Sequence, residues 1–221
     1  MRHVFLAMTA LGCATAPVAA AENQIWTDLG VRTKPFSSDR IELSLDSGLR
    51  FQPDGDLDTI EIRPGIGYKL DNRFKVSGGY LYASTRRSGP DRVEHRLWQQ
   101  LNYDIAQLGA GKLSGRSLFE QRRREGADDT GWRLRQQFSY NRALEGTPFT
   151  LALSTDIFVE LLDTDWGARS GFSENRAKAT LQWQSGRNTT WQAGYLNQYL
   201  EREGRPDDSH HHLYLAVSAR L

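Results

Sequence analysis

The sequence predicts an all-β fold, an antiparallel up-and-down transmembrane β-barrel of about 10–12 strands, and three observations predict it. First, Ile60, Ile62, Pro64, Ile66, Tyr68 and Leu70 occupy every second position, with Glu61, Arg63, Gly65, Gly67 and Lys69 between them. A strand turns successive side chains to opposite faces, so this is a ribbon with one apolar face and one charged, glycine-spaced face. The pattern recurs along the chain and closes it, in Leu213, Leu215, Val217, Ala219 and Leu221. Second, turn signals divide the chain into pieces of about 10 to 14 residues, longer than soluble strands and sufficient to cross a bilayer at a tilt. Third, aromatic residues gather beside one set of turns, as in an interfacial belt.

The strands read, in order, at 24–33, 40–51, 59–70, 73–85, 92–105, 112–124, 130–142, 149–160, 172–184, 189–202 and 209–221. The first opens on Trp26 and Asp28, and the second carries Arg40, Glu42, Asp46 and Arg50 on its polar row. The third is the ribbon already described, and the fourth follows the Asp71-Asn72 turn with Phe74 and continues to Tyr80 and Tyr82. The fifth and sixth alternate apolar residues with Glu94, Arg96 and Asp104, then with Arg116, Glu120, Arg122 and Arg124. The seventh and eighth bring Arg133, Arg135, Asp156 and Glu160 onto the polar row, and the ninth adds Arg176 and Lys178. The tenth is rich in Trp191, Tyr195 and Tyr199, and the last is the terminal alternation. Helical periodicity is essentially absent.

Two kinds of connection alternate between these pieces. Segments 34–39, 70–73, 106–111, 143–148 and 185–188 are mostly short and rich in turn formers. Segments 52–58, 86–92, 125–131, 161–171 and 203–208 are longer on average and heavily charged. Short turns at one rim and longer loops at the other form the meander of an outer-membrane barrel. Tyr68, Phe74, Tyr103, Tyr140, Phe149, Trp183 and Trp191 lie near the short turns and predict an aromatic girdle there. Tyr80, Tyr82, Trp132, Tyr195 and Tyr199 supply the opposite belt. Gln99, Gln136, Thr155 and Asn197 interrupt the apolar rows near mid-strand, where bulges or register shifts would account for some and weak points or contacts with a partner for others. Eleven segments conflict with the even strand counts of single-chain bacterial barrels. Either 25–33 is then not a full crossing or one segment is miscounted.

The ends and the composition place the chain. Residues 1–21 read as a cleaved signal peptide, with Arg2 and His3, an apolar stretch from Val4 to Leu11, and a small-residue site at Ala19-Ala20-Ala21. Residues 22–221 then form a single outer-membrane barrel domain in a Gram-negative bacterium. The only cysteine, Cys13, lies in the leader, so a disulfide framework and thiol chemistry are excluded from the mature chain. The chain of 221 residues has 28 basic and 27 acidic side chains, 20 glycines, and a mean hydropathy of −0.60. A membrane barrel yields this polar average because only alternate residues meet lipid. No polybasic block marks a nucleic-acid partner. The partners implied are outer-membrane lipids and the barrel-assembly machinery, and no cofactor is implied.

The polar row is expected to line the lumen, with Arg63, Arg96, Arg133, Arg135 and Arg176 facing Glu61, Glu94 and Asp156. Its excess of positive charge favours anions if the lumen is water-filled. The competing expectation is that the charges pair across strands and fill a closed interior. An enzyme alternative, an outer-membrane lipid hydrolase, would use His95 with Ser84, Ser114 or Ser117 on a neighbouring strand, though no nucleophile motif surrounds these serines. His210-His211-His212 puts only His210 and His212 on one face, short of a zinc set. Gly109-Ala110-Gly111-Lys112 lacks the Ser or Thr and the spacing of a phosphate loop. A soluble lipocalin-like ligand binder is the rival fold, with its apolar row turned inward. A binding scaffold using 161–171 and Trp166 is a further alternative.

Trp26-Thr27-Asp28-Leu29-Gly30, Leu49-Arg50-Phe51, and Ile66-Gly67-Tyr68-Lys69-Leu70 before Asp71-Asn72, followed by Val76, Gly78, Gly79 and Tyr80, form an ordered pattern. It resembles the uncharacterised bacterial outer-membrane barrel family catalogued as domain of unknown function 2490, over nearly all of residues 24–221. The resemblance implies architecture and location, and carries no set of functional residues. The terminal strand ends on Leu221 with Ala219 two before it, where such barrels usually end on an aromatic.

Overall fold

Strands of this length, amphipathic on a two-residue period, can hide every backbone donor and acceptor only by pairing on both sides, and a closed sheet is the arrangement that does so. The computed structural model describes residues 23–35 and 38–221, and there eleven strands close into one barrel. They are β1 (Ile25–Thr33), β2 (Ile41–Phe51), β3 (Leu57–Lys69), β4 (Phe74–Thr85), β5 (Arg92–Leu108) and β6 (Gly111–Arg124), then β7 (Thr130–Ala143), β8 (Thr150–Glu160), β9 (Gly171–Ser185), β10 (Thr189–Leu200) and β11 (Asp208–Arg220). Each pairs antiparallel with the next. The predicted leader lies outside the described residues.

The parity conflict resolves in neither expected way. β1 is a full partner, and no segment is miscounted. It pairs β2 antiparallel and β11 in parallel, from Ile25↔Leu213 through Arg32↔Arg220. Two strands running the same way can close a ring, because parallel ladders satisfy the backbone nearly as well as antiparallel ones. Ile25 lies beside Phe51 at the end of β2, so β1 and β11 both run from the long-loop rim to the short-turn rim.

The two rims differ as the turn chemistry predicts. β5 runs to Leu108, and only Gly109 and Ala110 separate it from β6. Gly109 has φ 58°, the left-handed conformation that a two-residue hairpin turn requires. At the other rim the ten residues from Leu161 to Ser170 fold back on the β6–β7 connection. Asp165 accepts from the backbone N–H of Asp128 at 2.9 Å, and Asp129 accepts from that of Asp165 at 2.7 Å.

The apolar rows face outward. Leu43, Leu45, Ile62, Ile66, Leu97, Leu134, Leu153, Leu181, Leu213 and Leu215 are all exposed, while Glu94, Glu120, Arg122, Arg133, Asp156 and Glu160 are buried inside. This is the reverse of the lipocalin-like arrangement. Three of the four polar interruptions of the outer face, Gln136, Thr155 and Asn197, make lateral hydrogen bonds, and no register shift falls at them. Register shifts fall instead at Arg50/Phe51, Asp104/Ala106 and Phe158/Val159. Gln136 accepts from Ser117 at 2.6 Å and donates to the Tyr103 hydroxyl at 3.0 Å. Thr155 accepts from Asn175 at 2.8 Å, and Asn197 donates to Ser209 at 3.0 Å.

The apolar core is small and inside the barrel. Leu81, Ala83, Trp98 and Leu118 form one cluster, and Trp26, Leu196 and Tyr214 another. The glycine spacing of β3 now has its cause. A Cβ on Gly65 would stand 2.6 Å from the Trp98 ring, and one on Gly79 would stand 2.8 Å from it. Glycine on two strands makes the slot that the buried indole fills.

Candidate functional site

Arg63, Arg96, Arg133, Arg135, Arg176, Glu61, Glu94 and Asp156 all line the cavities inside the barrel. They separate into two groups with different pairing. The first is a plate of ion pairs in the long-loop half of the barrel. Asp28 (β1) meets Arg50 (β2) at 3.3 Å, Arg50 meets Glu61 (β3) at 3.6 Å, and Glu61 meets Arg96 (β5) at 3.7 Å. Arg96 also binds Glu94 at 2.6 Å and approaches Glu120 (β6) at 3.8 Å. Glu94 is shared with Arg122 at 2.7 Å, which reaches Glu160 (β8) at 2.5 Å. Arg133 (β7) binds Glu120 at 2.6 Å.

Aromatic faces complete the plate where carboxylates do not. The Arg176 guanidinium on β9 pairs with Glu174 at 2.5 Å and stacks over both Trp26 and Phe158, at 4.8 and 4.7 Å from the ring centroids. Arg50 lies over the other indole contact at 4.0 Å from the Trp26 centroid. Gln198 (β10) donates to Glu174 at 2.6 Å and contacts His212 (β11) at 3.2 Å. Charged, polar and aromatic groups from all but β4 are thus linked around the inner wall, mostly between neighbouring strands, and β4 contributes Leu81 and Ala83. A guanidinium is planar and weakly hydrated, so it can pair at its edge and stack on its face at once.

The second group lies toward the short-turn rim. Asp156, fully buried, accepts from Arg116 at 3.1 Å, Arg135 at 2.8 Å and Gln137 at 2.7 Å. Arg63 stacks on Trp98 at 4.1 Å and donates to Gln100 at 3.0 Å, with no carboxylate in reach among the described residues. Lys178 lies 4.6 Å from the Tyr214 ring centroid. The Tyr214 hydroxyl donates to Asp28 at 2.8 Å.

Cavities lie on both sides of the plate. One of about 340 Å³ opens above it toward the long loops, and one of about 480 Å³ lies below it. A vestibule of about 900 Å³ occupies the long-loop mouth, lined by Arg87, Arg92 and Arg124 and by Trp166 from the β8–β9 loop. Trp166 is seated between Arg122 and Arg124, at 5.0 and 4.3 Å, and Gly131 leaves room for its ring. A smaller cavity of about 360 Å³ opens at the short-turn mouth.

The chain belongs to the DUF2490 family. The family model, described as a protein of unknown function, matches residues 23–210. An uncharacterised protein of Methylorubrum extorquens is 28% identical over 176 residues, covering 74% of this chain and 73% of that protein. No solved structure matches the chain.

The girdle residues stand on the outer surface near the short turns. Tyr68, Phe74, Phe149 and Trp191 are exposed, and Trp183 bridges Phe149 and Trp191 at centroid distances of 6.1 and 6.5 Å. Tyr103 faces Gly115, and Tyr140 faces Gly111, each ring filling the gap its glycine leaves. The serine–histidine pairing does not form. His95 contacts the Tyr80 hydroxyl through Nδ1 and Glu125 through Nε2 at 3.1 Å. Ser117 is directed to Gln136, and it pairs with Leu101, six residues along β5 from His95. His210 and His212 stack at 6.1 Å, and among the described residues no group of three or more His, Cys, Asp or Glu side chains is arranged around a metal position.

Trp26, Asp28, Trp98, Phe158 and Glu174 were not singled out as lumen residues. Parity could have found them: Trp98 stands two residues from Arg96, Phe158 two from Asp156, and Glu174 two from Arg176. Each of these aromatics, in phase with the charged row, is a surface on which a guanidinium group stacks.

Proposed function

We propose that this protein is an outer-membrane β-barrel whose narrow, basic-leaning lumen is held shut in its long-loop half by the ion-pair plate. One observation carries the reading: a continuous apolar exterior encloses a charged interior. In water this exterior would be a contiguous hydrophobic surface far beyond what soluble monomers expose. In lipid it is the stabilised arrangement. Aromatic rings near the short turns fit one interfacial belt, and Tyr80, Tyr195 and Trp132 near the long loops fit the other. Residues 1–21 supply the export signal in this reading, and outer-membrane lipids and the assembly machinery are the partners.

The plate distinguishes a resting barrel from an open pore. Guanidinium–carboxylate pairs linking neighbouring strands around the inner wall, with Arg176 of β9 stacked on Trp26 of β1, narrow the lumen and leave chambers above and below rather than a wide water column. Refolded protein in a planar bilayer is therefore expected to show little conductance. The double substitution Arg96→Gln with Glu120→Gln removes two charges of the plate together and should give discrete, anion-preferring steps. Large steps from the unaltered barrel would refute the closed plate. Monodisperse behaviour in buffer without detergent would refute the membrane location.

A further inference from the structure

The chamber below the plate is not electrically neutral, and that imbalance has a chemical consequence. Arg63, Arg116, Arg135 and Lys178 line the same cavity of about 480 Å³, and the one carboxylate that pairs with any of them is Asp156. The other acids around it are engaged elsewhere: Asp28 by Arg50 and Tyr214, Asp46 by Arg32 at 2.8 Å, Glu61 by Arg50 and Arg96, and Glu120 by Arg133. Arg116 and Arg135 repel both Arg63 and Lys178. The Nε atoms of Arg63 and Arg116 are buried and have no hydrogen-bond partner, and Lys178 has neither a hydrogen-bond acceptor nor a carboxylate within ion-pair distance among the described residues.

Enclosed charge of one sign is costly unless paired, and Arg and Lys groups cannot shed it at neutral pH as readily as they can acquire a counter-ion. We propose that this chamber is a binding site for a small multivalent oxyanion of phosphate or sulfate type, free or as a compact ester. Forked guanidinium donors match the tetrahedral oxygens of such an anion, with Lys178 as a point charge opposite them. A halide would neutralise a single charge and satisfy few donors. The cavity exceeds the volume of inorganic phosphate, so a short organic group fits beside the anion. Arg116 and Gln137 line both this chamber and the cavity at the short-turn mouth, which marks that rim as the side of access. The inference rests on the interior charges and not on where the barrel resides.

Isothermal titration calorimetry of the refolded full chain in a non-ionic detergent tests it. At constant ionic strength, sodium phosphate, sodium sulfate and glycerol phosphate are each compared with sodium chloride. Saturable one-to-one binding is expected for the oxyanions and none for chloride. Lys178→Met and Arg63→Met should each weaken phosphate binding at least tenfold, while Arg87→Met at the opposite mouth should leave it unchanged. Either chamber variant, measured after its urea midpoint in chloride confirms folding, is sufficient for the comparison. Unchanged affinity in both, loss of binding with Arg87→Met alone, or no oxyanion response by the unaltered protein would each overturn the proposal. Solubility without detergent would refute the membrane reading and leave this result standing.

Discussion

Leu45→Arg tests the environment of the barrel exterior because the size of its effect depends on the solvent. Leu45 is 50% exposed, and its cross-strand neighbours are Val31 and Pro64. It stands four residues from one end of β2 and six from the other. At about 3.3 Å per residue and a tilt near 40°, these separations are roughly 10 and 15 Å along the barrel axis. Leu45 is therefore close to the middle of an apolar band about 25 Å tall. An arginine at a bilayer midplane costs about 2–4 kcal/mol. In water the same change at a half-exposed site is worth within about 0.5 kcal/mol, because the arginine stem replaces the leucine contacts and its head is solvated. Leu45→Ala separates charge from packing: it forfeits contact with Val31 and Pro64 at a cost near 1 kcal/mol in either medium. Urea unfolding in lipid vesicles, followed by tryptophan fluorescence, measures all three proteins. A Leu45→Arg penalty no greater than that of Leu45→Ala would refute the assignment of this face to lipid.

Asp156→Asn keeps the shape of the side chain and removes the one negative charge between Arg116 and Arg135. Breaking a buried pair in this way should cost about 3–5 kcal/mol in the same unfolding assay; a loss under 1 kcal/mol would mean water already screens the pair. Gly65→Ala would ordinarily stiffen a strand to advantage, but here its Cβ meets a buried Trp98 ring held between Arg63 and Gly79. Overpacking of about 1–3 kcal/mol is expected, and a stabilised variant would refute the slot. In the β8–β9 loop, the Asp163 carboxyl is held below its ordinary pKa chiefly by the backbone N–H of Ser170, at 2.7 Å. A lowered carboxyl stabilises the docked loop fully above the ordinary aspartate value of about 3.9 and ceases to as pH falls through the lower folded value. Trp166 fluorescence should thus stay constant from neutral pH to about 4 and change below it, with Asp163→Asn removing that transition.

Much of the architecture was legible because two local rules act on every residue. Alternation set which side chains share a face, and the turn residues set where each strand stops. The eleven predicted segments coincide with β1 to β11 to within a few residues, β5 extending furthest past its predicted end, to Leu108. The lumen residues Arg63, Arg96 and Asp156 were identifiable for the same reason: parity along a strand assigns them one face. Polar residues on the apolar row were left open by alternation, since the partners that Gln136 and Thr155 find lie on neighbouring strands.

By itself the sequence determined strands, rims, and an apolar face opposite a charged one, since each follows from residues adjacent in the chain. Only the tertiary structure decided how the ring closes and what its interior does. Parallel closure through β1 depends on edges nearly two hundred residues apart, where alternation is indifferent to strand direction. Whether charges pair, stack or stand alone depends on which side chains reach across the lumen. Arg96 meets three carboxylates, Glu61, Glu94 and Glu120, while Lys178, on the same kind of alternating row, meets an aromatic ring and an open chamber. That difference is a matter of distance across the barrel, which strand stagger sets and a one-dimensional pattern does not contain.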